Sequence, residues 1–408
     1  MKINYILLAI LLITPIKKAS SQTINTTPIP ILAETNTTTS CPFITKNSEG
    51  TPVMSFGKET KEKETVLCYA VFNSNEKKFQ TPIEIQSSKG VELHGENAPK
   101  IIFKPNNEII AVWGVDNASE KKKYGGLVNY SQSFDNGKSW TKAKPLVKDT
   151  ASIDQRYFDI DLLPNGEVAI IWLDNRSKTE DEGSTLYYAE TKGTTGFQNE
   201  KLIAETACQC CRTDLFISKN GTINAAFRDI INNEIRDMVL TYSTDNGKTF
   251  SVPKRISPDN WKINGCPHTG PTMTENETGL HFAWYTSGGG SGVFYSNSSD
   301  YGKTFSTRDI VSDKRSAKHP QITILDNKEV LIVWDETVTE GDNLIVQIGL
   351  QHRKKNGEIV STKYISPKDK SSSFPIIKAI NKNQFIVAWS QQSVDENVFY
   401  EIVDLNSI

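Results

Sequence analysis

The sequence predicts an all-β chain folded as a seven-bladed β-propeller, each blade a sheet of four antiparallel strands. Three observations carry that prediction. One unit recurs along most of the 408 residues: four short runs with period-2 alternation, separated by Gly, Asn or Asp turns. A large aromatic closes the second run of six units, at Trp113, Trp172, Phe227, Trp284, Trp334 and Trp389, with spacings of 59, 55, 57, 50 and 55 residues. Many short strands repeated at such a period read as a ring of blades. Finally, the last unit lacks a fourth run while the N-terminal segment holds a spare one, so a strand from the start of the chain is expected to close the ring. A six-bladed ring is the alternative if the first unit is irregular.

Residues 1–21 read as a signal peptide. Lys2 precedes an apolar run over 5–16, and Ala19, Ser20 and Ser21 offer small residues for cleavage. The run is too short for a permanent bilayer span, and no later segment could cross a membrane. The expectation is export to the periplasm or the extracellular space. Residues 22–40 read as a linker carrying the closing strand, TPIPIL at 27–32, which matches fourth runs such as TPIEIQ at 81–86.

The propeller is assigned to 41–408. Its first unit runs CPFITKN, TPVMSFGK, ETVLCYAVF, TPIEIQ. The second holds KIIFKP, EIIAVWGVD, GLVNYSQS and a closing strand near Pro145; the third holds YFDIDLLP, EVAIIWLDN, TLYYAET and EKLIA. The fourth is the clearest: CQCCRTDLFI, TINAAFRD, RDMVLTY and VPKRIS. The fifth has GPTMTEN, GLHFAWYTS, GVFYSNSS and TRDIVS, and the sixth HPQITILD, EVLIVWDET, LIVQIGLQ and TKYIS. The seventh has FPIIKAIN, QFIVAWSQQ and NVFYEIVDL. The net charge of −2 provides no basic field for nucleic acid.

Three turns between third and fourth runs share the pattern S-x-D-x-G-x-x-[W/F]. They hold Ser133, Asp135, Gly137 and Trp140; Ser243, Asp245, Gly247 and Phe250; and Ser298, Asp300, Gly302 and Phe305. The Asp can accept backbone N–H bonds across the turn, the Gly supplies φ > 0, and the aromatic plugs between neighbouring strands. The three lie in phase with the blades, 110 and 55 residues apart. The pattern resembles the Asp-box (BNR) repeat of the sialidase superfamily of β-propellers, over roughly 41–404. The resemblance implies that these Asp residues are structural and lie on the face away from an active site. It also implies a glycan or small anionic ligand, an arginine trio for a substrate carboxylate, an Asp acid/base and a Tyr–Glu pair. The chain departs from that pattern in lacking an Arg-Ile-Pro signature, and no arginine precedes Arg156.

In a propeller, the starts of the innermost strands and the loops from second to third strand share one rim. At the strand starts lie Cys41, His94, Arg156, Cys208, Cys210, Cys211, Arg212, Cys266, His268 and His319. After the second strands come Asp116, Asp174, Arg176, Arg228, Asp229, Tyr285, Asp335, Glu336 and Gln391. Three readings follow. In an exo-glycosidase-like pocket, Arg156, Arg212 and Arg228 would clamp an anionic sugar through their forks. Two carboxylates among Asp116, Asp174, Asp229, Asp335 and Glu336 would then act as acid and as nucleophile or base, with Tyr285 or Tyr157 as an alternative nucleophile, while Arg176, His268, His319 and Glu336 would contact the ligand. In a non-catalytic binding module, the same rim and the glycine loop over 286–292 would hold a glycan or a protein. In a metal protein, Cys208, Cys210, Cys211, Cys266 and His268 would bind Cu or Zn. Disulfide bonding, for example between the 208–211 cluster and Cys266, is favoured over a metal in an exported chain, so no cofactor is expected. The lysines at 121–123 and the acidic residues at 180–182 read as solvated loop tips. Sequons stand at Asn25, Asn36, Asn117, Asn129 and Asn297.

Overall fold

A computed structural model describes residues 27–118, 125–149, 154–176, 183–391 and 396–408. The signal segment, the sequon at Asn25 and the charged tips at 121–123 and 180–182 lie outside the described residues.

Seven antiparallel sheets form seven blades. The innermost strands are Thr37–Lys46, Lys100–Phe103, Gln155–Leu162, Asp214–Ile217, Thr272–Asn276, Lys318–Ile324 and Ser372–Ala379. Each meets the innermost strand of the next blade, and the seventh meets the first, so the strands enclose a central channel. Blade 1 begins at Thr37, inside the stretch read as linker. Its third strand pairs with two short outer strands, Lys78–Phe79 and Ile83–Ile85, which is the irregularity that left a six-bladed ring open.

The ring closes through the N-terminal strand. Ile29 and Pro30 pair with Tyr400 and Phe399 in the last strand of blade 7, and Ile31 donates to the Val398 carbonyl at 2.9 Å. Thr39 Oγ1 accepts from Val398 N at 2.8 Å, and the Tyr400 hydroxyl accepts from Phe79 N at 3.2 Å. The ends of the chain are thus held by main-chain and side-chain bonds as well as by packing.

The core is seven apolar layers, one between each pair of neighbouring blades. The six periodic aromatics at the ends of second strands are all essentially solvent-free within these layers. Burying one such ring removes about 150–250 Å² from water, which makes these residues the largest apolar contributors in each blade.

The three Asp boxes are built as the sequence implied. Asp245 Oδ1 accepts from Ser243 Oγ at 2.8 Å and from Thr249 N at 2.9 Å, and Oδ2 accepts from Thr249 Oγ1 at 2.6 Å. Asp135 and Asp300 repeat this with Ser139 and Thr304. Gly137, Gly247 and Gly302 sit at φ 85°, 74° and 89°. Trp140, Phe250 and Phe305 each pack against an interblade layer. Third-to-fourth turns fall at the opposite end of an antiparallel blade from the starts of first strands, so the boxes are remote from the rim described next.

Candidate active site at the channel mouth

Four innermost strands enter the channel through the same irregularity. Cys41, Tyr157, His319 and Phe374 have φ of 57°, 50°, 50° and 51°, and pairing with the second strand skips at each of these positions. Non-glycine residues in this region cost about 1–2 kcal/mol each, and such bulges re-aim side chains at rims and sites. Three of the four are followed by proline. The repeated bulge sets His319 and Phe374 on the wall of a channel cavity of about 240 Å³, together with Glu96 and Arg212.

A network crosses this mouth between blades. Arg212 Nη1 donates to Glu96 Oε1 at 2.6 Å and Nη2 to the Pro320 carbonyl at 2.5 Å. Glu96 Oε2 accepts from Gly270 N at 3.0 Å. Blades 2, 4, 5 and 6 are joined by one buried ion pair. Beside it, His319 Nδ1 lies 2.7 Å from Asp335 Oδ2, and the same oxygen accepts from Phe374 N at 2.8 Å. The Phe374 ring stacks on His319 with centroids 4.2 Å apart. Burial pushes His319 down, but the Asp335 charge and hydrogen bond more than offset this, and its pKa is raised.

His94 has the opposite character. It is half-buried, and burial, aided by the charges of His268, Arg156 and His319, lowers its pKa against the pull of Glu96. Its Nδ1 is buried with no hydrogen-bond partner among the described residues. Its ring meets Tyr157 edge-on at 6.0 Å. Burial, with nearby Cys210 and Cys211, pushes the Tyr157 hydroxyl well above its usual range. An imidazole whose pKa is lowered and a phenol whose pKa is raised therefore stand near Arg156, Arg212 and the His319–Asp335 pair.

The other predicted site residues serve elsewhere. Arg228 is 1% exposed and donates to the carbonyls of Arg236, Thr269 and Tyr285 at 3.0, 3.2 and 2.8 Å, so it ties blade 4 to blade 5. The expected trio of Arg156, Arg212 and Arg228 is therefore not assembled at one surface. Arg156 is half-buried and pairs with Asp154 at 2.6 Å. Asp174 accepts from Trp172 Nε1 at 3.2 Å and pairs with Arg176, which also holds Glu200 at 2.8 Å. Asp229 accepts from Thr206 Oγ1 at 2.6 Å. Glu336 accepts from Trp334 Nε1 at 2.7 Å and from the Ser312 and Tyr364 hydroxyls, away from the mouth. Tyr285 is buried and its hydroxyl donates to the Arg315 carbonyl at 3.2 Å. His268 is exposed, with φ 50°. Asp174, Asp229, Asp335 and Glu336 are thus each engaged by a protein donor, whereas Asp116, also on the rim, is exposed and accepts from Ala118 N at 2.8 Å.

Two features escaped sequence reasoning. Glu96 sits in a Gly-Glu-Asn turn that carries no strand pattern. Deeper in the channel, Asp159, Asp161 and Asp214 each accept a main-chain N–H from the next blade, from Leu215, Ile217 and Met273 at 2.7, 2.7 and 2.8 Å. Burial raises the Asp161 pKa to about 6. The acidic residues inside the run YFDIDL were the available signal for these stitches.

All six cysteines are free thiols. The expected bond from the 208–211 cluster to Cys266 is not formed: Cys266 is exposed, whereas Cys208, Cys210 and Cys211 are buried together.

Residues 53–359 match the model of the BNR repeat-like domain. The chain belongs to that family. This sialidase-like BNR repeat-like propeller also resembles solved structures at low sequence identity. A protein of unknown function from Dyadobacter fermentans is 14% identical, with a TM-score of 0.55 over 92% of this chain and 97% of that one. The polysaccharide lyase Uly1 is 12% identical, with a TM-score of 0.53 over 90% of each chain. The NanB sialidase of Streptococcus pneumoniae, as its K499G mutant, is 10% identical, with a TM-score of 0.49 over 90% of this chain and 86% of that one. No curated protein matches this BNR repeat-like chain. Among the described residues no helix is long and apolar enough to cross a membrane.

Proposed function

We propose that the protein is exported and acts on an anionic carbohydrate held over the channel mouth, with His94 and Tyr157 transferring protons. The observation that carries this reading is the pairing of opposites there. His94 is unpartnered at Nδ1 and its pKa is lowered by burial, while the pKa of His319, beside Arg212, is raised by Asp335. Arg156, half-buried with its Nε on Asp154, is the cation on this rim whose fork can turn to a carboxylate or sulfate on the sugar. A neutral imidazole near that cation is a general base, and a tyrosine kept protonated is a general acid.

Elimination fits these groups better than hydrolysis. Hydrolysis commonly needs two free carboxyl groups or their equivalents, and four of the rim carboxylates, Asp174, Asp229, Asp335 and Glu336, are committed to protein donors. In elimination, His94 takes the proton from the carbon next to the sugar carboxylate. The electron pair forms a C=C bond, the glycosidic C–O bond breaks, and the leaving oxygen takes a proton from Tyr157. A polysaccharide lyase is among the solved structures with this fold, so the assay should include that chemistry. The cavity is smaller than the ~300–1,000 Å³ of common ligand clefts, which suits the end of a glycan chain.

The test is a panel of uronate-containing polysaccharides and a fluorogenic sialoside, followed by ultraviolet absorbance of unsaturated product and by reducing ends. The expected result is unsaturated product from a uronate polymer. His94→Gln and Tyr157→Phe should each lower kcat about 10²- to 10⁴-fold with binding retained. Release of sialic acid at a rate indifferent to His94→Gln would move the chemistry to hydrolysis. Absence of both binding and turnover across the panel would refute the reading.

A further inference from the structure

We infer that Cys208, Cys210 and Cys211 form a binding site for one monovalent soft metal ion, Cu(I), beside the channel mouth. The three thiols lie in the turn between Phe197–Ala207, the last strand of blade 3, and Asp214–Ile217, the first of blade 4. Their sulfurs all lie within 4.8 Å of one another, with Cys208 Sγ 3.5 Å from Cys210 Sγ and 3.6 Å from Cys211 Sγ. Three sulfurs in a plane around an ion at about 2.3 Å would stand about 4 Å apart. The observed triangle therefore needs only small rotations to close on an ion. Local backbone bonds fix the turn: Cys208 N donates to the Arg228 carbonyl at 2.8 Å and Cys211 N to the Cys208 carbonyl at 3.4 Å.

Ligand type and number select the ion. Thiolates favour Cu(I), zinc and iron–sulfur clusters. Structural zinc takes four ligands in a tetrahedron. Among the described residues no fourth histidine, cysteine or carboxylate joins this group. Three ligands suit a three-coordinate monovalent ion.

Charge favours an ion held by thiolates. Arg236 Nη1 donates to Cys208 Sγ at 3.2 Å, and the Arg228 guanidinium acts on Cys208 and Cys211 from the same buried layer. The two arginines are 4% and 1% exposed. Two buried guanidinium groups beside the trio offset part of the negative charge that three thiolates bring into the interior. Uncompensated buried charge is strongly unfavourable. Binding releases the thiol protons to solvent and involves no change of oxidation state. This assignment also gives Arg228 a purpose in place of the substrate clamp expected from the sequence.

The experiment is anaerobic titration of the full reduced chain with Cu(I) against a coloured Cu(I) chelator. Metal is counted after gel filtration, and thiols are counted on the same sample. The expected result is one retained equivalent per chain, with a sulfur-to-copper charge-transfer band. The equivalent should be lost in Cys210→Ser and kept in Cys68→Ser, whose buried thiol lies in blade 1. Arg236→Lys keeps the charge but changes the donor geometry, and should weaken retention about 10–100-fold. Thermal melts of the apo variants separate loss of the ion from loss of the fold. If wild-type protein fails to hold Cu(I) against the chelator, or holds Zn(II) at one equivalent in preference to it, the assignment falls. It also falls if the non-reduced exported protein carries a disulfide within the trio. None of these readouts involves glycan turnover, so this inference and the proposed activity stand or fall separately.

Discussion

The Glu96–Arg212 pair offers the sharpest test of how the mouth is built. Its side chains are 3% and 10% exposed, and each terminal nitrogen of Arg212 and each oxygen of Glu96 has a protein partner. Removing one member leaves the other charged, desolvated and short of a hydrogen bond, which costs about 3–5 kcal/mol. An exposed pair would cost only about 0–1 kcal/mol. Glu96→Gln and Arg212→Met should therefore each destabilise the folded chain by about 3–5 kcal/mol in urea denaturation at neutral pH. The double variant should cost less than the sum of the two, by about 1–3 kcal/mol, because the second change removes a charge the first has already orphaned. Single costs under about 1 kcal/mol, or strict additivity, would show that Arg212 is a mobile, hydrated arginine. It would then be free to clamp a ligand as a sialidase arginine is expected to.

Other predictions concern pH and closure. The raised pKa of His319 contributes stability that is fully present below the unfolded value of about 6.5 and is lost as pH rises through the folded value. Asp335→Asn should remove that slope from a stability–pH series. If His94 is the base and His319⁺ part of the anion frame, kcat/KM should rise with pH through a value below the ordinary imidazole range. It should fall through one above that range, and Asp335→Asn should move only the falling limb down. The hydrogen bond from Thr304, the largest of several, depresses the Asp300 carboxyl to about 2. Its stabilisation should be complete above the unfolded carboxylate range and vanish as pH falls towards about 2, so Asp300→Asn and parent should converge in acid. Ile31→Pro removes the N–H bonded to Val398 and a side chain only 6% exposed, and should cost about 2–5 kcal/mol by chemical denaturation.

The ring was legible because its determinants are local and repeated. Strand alternation, the aromatic at each second-strand end and the Asp-box turns are short-range chemistry, and each recurs in phase. Even closure could be read, because TPIPIL matches the missing strand. The site was legible only as a list of rim residues. Arg228 and Arg212 both fall on the rim, yet one is consumed by the carbonyls of Arg236 in its own blade and of Thr269 and Tyr285 in the next, and the other reaches the mouth. Apart from Arg236, the partners that make this difference lie more than 40 residues away in sequence, which no local pattern encodes. Glu96 was missed for the same reason: its partners Arg212 and Gly270 lie in blades 4 and 5. The cysteine cluster was visible as a motif, but exclusion of Cys266 from it depends on how one long loop is laid down.

The repeated left-handed residue at the strand starts ties these observations together. A fold that needed only to close could place glycine at all four positions. It carries Cys41, Tyr157, His319 and Phe374 instead. If strain is tolerated there for the sake of the side chains, relieving it should separate stability from function. Phe374 is the cleanest site, being half-buried and stacked on His319 without a side-chain hydrogen bond. Phe374→Gly recovers about 1–2 kcal/mol of backbone cost. It forfeits a stack worth about 0.5–1.5 kcal/mol together with part of the apolar burial. Stability should therefore stay within about 1–2 kcal/mol of the parent, while the stacked imidazole loses its platform and the affinity for an anionic glycan falls. A loss above about 3 kcal/mol with unchanged ligand affinity would make Phe374 a core residue in an awkward conformation, and the strain argument for the mouth would fail with it.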